Sequence, residues 1–249
     1  MDKLLDKKVC LVTGAAKGIG KSIVERFASE GAIVFANDLI GSDMNDWSVS
    51  LSERYATKII PICFDITEFK EVKAAITRIK REYGRIDVLV NNAGIVTYEM
   101  LPMIDFAKLQ KMFDVNVMGL IHLIQMVSKL MVRQSSGSII NMASLVGLKG
   151  AKGQLAYSAT KGAVIATTLS ASKELASYNI RVNAVAPGMV ATERFLKEIE
   201  GRFEDRLTSV GMGRYALPSE VADAFVFFAS DMSKYVTGQV MQVEGSFAI

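Results

Sequence analysis

"VTGAAKGIGKS", residues 12–22, starts at the end of an apolar run, "KVCLVT" (8–13), and finishes inside a segment of helical period. A strand that breaks at glycine and restarts as a helix is the first half of a βα unit. Gly14, Gly18 and Gly20 supply a tight turn, a close backbone approach and close packing of helix on strand. The N–H groups of the first helical turn, around Ile19, then face outward as a site for a pyrophosphate. The spacing is G-x-x-x-G-x-G, not the commoner G-x-G-x-x-G, and any strand-to-helix turn favours glycine. The remainder of the chain therefore has to decide between the two readings.

Six more short runs lie beyond it: "AIVFAND" (32–38), "KIIPICFD" (58–65), "RIDVLVNNAG" (85–94), "GSIINMAS" (137–144), "IRVNAVAPG" (180–188) and "GQVMQVEGS" (238–246). Between them lie helical stretches such as 44–55 and "EFKEVKAAITRIKREYG", with Val72, Ile76 and Ile79 on one side. Apolar strands alternating with helices predict parallel pairing through right-handed crossovers. The expected fold is α/β: a Rossmann-like, doubly wound, seven-stranded parallel sheet with helices on both faces. No Pro/Ser-rich linker divides the chain, which predicts one domain over 1–249. Helices expected at 117–133, opened by Asn116, and at 159–176 have few polar faces, which predicts burial against another subunit.

Half of the 249 residues are hydrophobic, which excludes a disordered chain. The 29 basic and 26 acidic residues are scattered, without the stripe a nucleic-acid binder needs. The longest apolar stretches fall short of the ~20 residues of a membrane span. "MDKLLDKK" is too charged for a secretory leader. Cys10 and Cys63 each sit in an apolar run and read as buried strand thiols of a reducing cytoplasm. His122, the single histidine, lies among leucines and isoleucines as a buried or interface residue, so no metal site is expected.

Asp38 ends the second run, where a carboxylate accepts from the hydroxyls of an adenosine ribose. Opposite a 2′-phosphate ~4 Å away it would cost roughly 4 kcal/mol per unit charge, which favours NAD over NADP. Lys17 pulls the other way, so NADP stays open. Asp65, followed by Ile66, ends the third run and is placed for an adenine amino group. Asn92, Ala93 and Gly94 end the fourth in a turn that brings backbone against the nucleotide.

Tyr157 and Lys161 are four apart on the predicted helix, one above the other. A hydride cannot reach a carbonyl carbon unless the oxygen gains a proton. A phenol titrates near ~10, and an adjacent ammonium together with an oxidised nicotinamide predicts a lower value. Tyr157 is then the general acid, Ser144 the donor to the substrate oxygen, and Lys161 the tuning cation.

"TGAAKGIG", "NNAG", Asn116, the Ser144–Tyr157–Lys161 spacing and Pro187–Gly188 together resemble the short-chain dehydrogenase/reductase family. The resemblance implies a nicotinamide cofactor, a tetrad of Asn116, Ser144, Tyr157 and Lys161, and a homotetramer built on the two apolar helices. It also implies nucleotide contacts from Tyr157, Lys161, Pro187, Gly188, Val190 and Thr192, the last at the carboxamide. The segment 189–214, charged and bounded by glycines, reads as a substrate lid. "NIRVNAVAPGMVAT" and "YVTGQVMQVEG" are similar to stretches of the family's 3-oxoacyl-thioester reductases. Ser135 and Tyr178 stand where those reductases carry carrier-docking arginines. Sugar, steroid and small secondary-alcohol dehydrogenases using NAD are the alternative, and a nucleotide-binding regulator without chemistry is a third.

Overall fold

Alternate residues of the first strand feed two different cores. Cys10 and Val12 of β1 (Val9–Thr13) face one side, Val9 and Leu11 the other, and all four are essentially buried. That double burial is why the strand reads as a continuous apolar run. The computed structural model describes residues 3–39, 43–199 and 204–247. Within them, β2 (Ile33–Asp38), β3 (Ile59–Cys63), β4 (Val88–Asn91), β5 (Gly137–Met142), β6 (Ile180–Pro187) and β7 (Val240–Val243) join β1 in one parallel sheet.

The spatial order is β3-β2-β1-β4-β5-β6-β7. From β1 the chain winds outward to β3, then returns to place β4 on the other side of β1. The direction reverses between β1 and β4, and at that switch point the loops diverge and leave a crevice. One face is covered by α1 (Gly18–Ser29), α2 (Asn45–Tyr55) and α9 (Pro218–Ala229), with Phe27, Phe225 and Phe228 in its core. The other is covered by α3 (Phe69–Tyr83), α5 (Leu120–Gln134) and α7 (Leu155–Leu175), around Phe35, Leu89 and Val127, and a short α6 (Val146–Lys149) precedes α7.

Three expectations are corrected. Asn116 does not open a helix. α4 (Phe106–Phe113), capped by Asp105, runs through a π-helical turn at Asp114–Gly119 directly into α5. The extra residue of the π turn interrupts the 3.6 period, so the polar first half and the apolar second half do not read as one element. The resulting run, Phe106–Gln134, is 29 residues long and its most apolar 18-residue stretch has a mean hydropathy of 1.5, enough by length and composition to cross a membrane. Here Leu123, Val127 and Met131 are instead buried against the sheet. Finally, Cys10 is buried but Cys63 is exposed, because β3 is the edge strand and Cys63 its last residue.

Candidate active site

The glycine turn is held by contacts that leave no room for a side chain. Gly14 has φ +63°, and a Cβ there would lie 2.8 Å from Ala93 Cα. A Cβ on Gly20 would lie 2.0 Å from Gly14 O. Asn92 bolts the end of β4 to the turn: its Nδ2 donates to Thr13 O and Gly14 O, both at 2.9 Å. Thr13 Oγ1 in turn accepts from the Asn92 and Ala93 amides at 3.1 Å. Asp38 accepts from the Ala16 and Leu39 amides at 2.9 Å, which ties the end of β2 to the same loop. Asp65 Oδ1 accepts from Thr67 N and Oγ1 at 2.8 Å, and Asp65 closes its own turn.

These groups line a groove of about 920 Å³ along the carboxyl ends of the strands. Gly14, Lys17, Gly18, Ile19 and Gly20 form one wall, and Asp38, Asp65 and Ile66 one end. Asn92, Ala93, Gly94 and Thr192 line it as well. The groove fits a dinucleotide: bare glycine backbone at Gly14, Gly18 and Gly20 lines it, α1 begins there at Gly18, and the Asp38 carboxylate stands at the ribose position. Leu39, Thr67, Lys111, Asp114, Arg194 and Lys197 also line it and were not singled out from the sequence. Arg194 and Lys197 come from α8 (Glu193–Ile199), inside the expected lid, whose charge was the available signal. Residues 200–203 of that lid lie outside the described residues. Val190 is not in the groove lining. It is 6% exposed and packs in the core, and its backbone pairs with Ala216.

A second pocket of about 370 Å³ adjoins it. Ser144 and Tyr157 lie in its wall with Pro187 and Gly188, among the apolar Val96, Leu145, Met189 and Phe195. α7 carries both Tyr157 and Lys161, and Lys161 Nζ lies 5.6 Å from the Tyr157 ring centroid. That ammonium donates to Met142 O at 2.7 Å. It also stands 3.6 Å from where a Cβ on Gly94 would be, next to the groove. Asn116 donates through Nδ2 to Ile95 O at 2.9 Å and Thr160 Oγ1 at 3.1 Å, and its Oδ1 accepts from Ile95 N at 2.8 Å. Thr160 Oγ1 donates to Tyr157 O at 2.8 Å. Asn116, Ser144, Tyr157 and Lys161 therefore converge where groove and pocket meet.

The electrostatics depart from the expectation. Burial pulls the Lys161 ammonium down to about 8. Burial also pushes the Tyr157 phenol up to about 12, with Tyr98 adding to the rise; a hydrogen bond with Ser144 and the charge of Arg194 act against it. The predicted lowering by Lys161 is not found. Its ammonium is committed to the Met142 carbonyl and lies over the ring, and desolvation dominates. The protein by itself thus holds Tyr157 as a protonated donor. Among the described residues, no three His, Cys, Asp or Glu side chains are grouped to hold a metal ion. His122 packs edge-on against Phe69 at 5.4 Å between ring centroids.

Residues 8–201 match the family model for short chain dehydrogenase. The chain is 42% identical over 245 residues to 3-oxoacyl-[acyl-carrier-protein] reductase FabG of Thermotoga maritima, covering 98% of this chain and 99% of that one. Its fold matches 3-oxoacyl-[acyl-carrier protein] reductase from Brucella melitensis with a TM-score of 0.92 at 30% identity, over 99% of this chain and 93% of that one. It matches L-sorbose reductase from Gluconobacter frateurii, solved with NADPH and L-sorbose, with a TM-score of 0.92 at 27% identity, over 99% and 98%. The chain belongs to the short-chain dehydrogenase/reductase family, and is an NAD(P)-dependent oxidoreductase acting on CH–OH groups.

Proposed function

We propose that the protein reduces the ketone of 3-oxoacyl thioesters to the secondary alcohol. One observation carries this reading: the Ser144 and Tyr157 hydroxyls meet in an apolar pocket that opens beside the glycine groove. The acyl assignment rests on the similarity to the Thermotoga reductase and on that apolar lining. Gly14, Lys17, Gly18, Ile19 and Gly20 would hold the pyrophosphate, Asp38 the adenosine ribose, and Asp65 and Ile66 the adenine. Asn92, Ala93 and Gly94 would line its path. Lys161, Tyr157, Pro187, Gly188, Val190 and Thr192 would border the nicotinamide end, Val190 through its backbone. When bound, the reduced nicotinamide supplies the hydride.

Tyr157 is the proton donor to the carbonyl oxygen, and its high pKa keeps the proton in place until the oxygen becomes basic. Ser144 donates to the same oxygen and stabilises charge as it develops, since a preorganised donor in a dry pocket acts where charge appears. Lys161 holds ribose hydroxyls and offsets negative charge left on the phenol. Asn116 acts as a positioning residue by fixing the Ile95 backbone and Thr160. α8 forms the lid, with Phe195 on the substrate and Arg194 and Lys197 on the nucleotide. We read the chain as one cytoplasmic domain. It assembles as a homotetramer through exposed apolar side chains of the π turn and α5 (Met118, Ile121) and of α7 (Leu155, Leu169).

Asp38 favours NADH. Its carboxylate, fixed by two amides, repels a 2′-phosphate, and roughly 4 kcal/mol at ~4 Å corresponds to a preference of about 10³-fold. Titrating NADH and NADPH by fluorescence measures this directly, and tighter NADPH binding would mean that Lys17 outweighs Asp38. Turnover of acetoacetyl thioesters with either reduced cofactor tests the substrate class; activity confined to sugars or cyclic ketones would contradict it. Asp38 also favours the second reading, an NAD-linked dehydrogenase of sugars, steroids or small secondary alcohols.

A further inference from the structure

The far wall of the pocket comes from the other end of the chain. Phe247 lines it, facing the same space as Tyr157, Met189 and Phe195. It is brought there by a short antiparallel latch: Val210 bridges Phe247, Gly211 N donates to Ser246 O at 3.1 Å, and Met212 N donates to Gly245 O at 3.0 Å. Gly245 and Ser246 both have left-handed backbones, φ +62° and +61°, which turn the chain back after β7. Glu244 accepts from the Phe247 amide. On the opposite side Lys149 Nζ donates to Phe247 O at 3.4 Å, next to the pocket-lining Leu145 and Val146. The fit is close, since a Cβ on Gly211 would lie 2.9 Å from Ser246 Cβ.

We propose that Phe247 is a specificity-determining residue: latched to residues 210–212, it closes the pocket and sets the longest acyl chain that fits. The ring shares the pocket wall with Phe195 of the lid segment and Leu145 of the loop after β5. A short 3-oxoacyl group ends before it; a long one must displace it, and with it the two latch hydrogen bonds. The inference rests on the thioester reading of the pocket.

The test is the ratio of kcat/KM for 3-oxododecanoyl over acetoacetyl N-acetylcysteamine thioesters. Phe247→Ala should raise that ratio by roughly 10-fold or more, the scale set by apolar fit in a substrate pocket. Gly211→Val, whose added side chain pushes Ser246 away, should raise it in the same direction. Faster hydrogen exchange at the Gly211 and Met212 amides in both variants would show that the latch has opened. An opened latch with a ratio within about 2-fold of wild type would overturn the proposal. So would amides that exchange as fast in the wild type as in the variants. If the wild type reduces no thioester, the thioester reading fails by itself. A homologous series of 2-alkanones run the same way then supports or overturns the latch by the same ratio.

Discussion

Lys161 is held at 3% exposure with a single carbonyl partner, and its ammonium is pulled down to about 8 from 10.5. The unfolded chain therefore binds more protons than the folded one between those values, so this residue adds stability as pH rises through that window. The shift corresponds to about 3 kcal/mol. Lys161→Met should lack this gain. Denaturant unfolding at pH 8 and pH 10.5 should show the wild type improving by roughly that amount relative to the variant. A difference that stays constant with pH would mean that Lys161 titrates normally. Tyr157 has the opposite sign. Raised to about 12 from 10.0, it keeps its proton longer when folded, so its contribution declines only above the ordinary phenol value. Burial is the largest cause of both shifts.

At the scale of elements, the π turn between α4 and α5 carries the most consequence. Gly119 within it lets the turn approach Ile66, since a Cβ would lie 2.8 Å from Ile66 Cγ1. The turn presents Asn116 to the Ile95 backbone and to Thr160 on α7, joining three elements through one amide. Asn116→Ala would orphan Ile95 N and O, and calorimetry should register a loss of about 1–3 kcal/mol. An unchanged melting temperature would show the Ile95 loop to be held by other contacts. α2 offers a simpler case. It ends at Ala56 in the left-handed region, φ 50°, whereas α3 ends at Gly84, φ 74°. Ala56→Gly removes a Cβ penalty and should stabilise the protein by about 1 kcal/mol; a loss of stability would mean that the gain in unfolded-chain entropy outweighs it.

For the molecule as a whole, the working crevice is a product of strand order. Reversal of winding between β1 and β4 sends the chain after Gly14 and the chain after Gly94 to opposite faces of the sheet, and the glycine turn, Asp38, Asp65 and Asn92 all meet the crevice from the carboxyl ends of strands. This much was legible in the sequence, because seven apolar runs with glycine or acidic ends are local patterns. The stacking of Tyr157 on Lys161 was legible through helical spacing, and the convergence of Ser144 on Tyr157 through its place at a strand end and family resemblance. The rest depended on non-local facts. The π turn breaks the period by which helices are read, and Cys63 faces solvent only because its strand is at the edge. The high Tyr157 pKa comes from burial by the whole chain, and Phe247 reaches the pocket through a contact with residues 210–212.

The central claim is that the Tyr157 hydroxyl carries the proton exchanged with the substrate oxygen. Tyr157→Phe removes that single oxygen and keeps the ring that packs over Lys161. Steady-state turnover with the reduced cofactor, measured alongside nucleotide affinity by fluorescence, tests it most directly. The expected result is unchanged nucleotide binding with turnover lower by roughly 10²–10⁴-fold, the range of a lost general acid. Turnover equal to wild type would contradict that role for Tyr157.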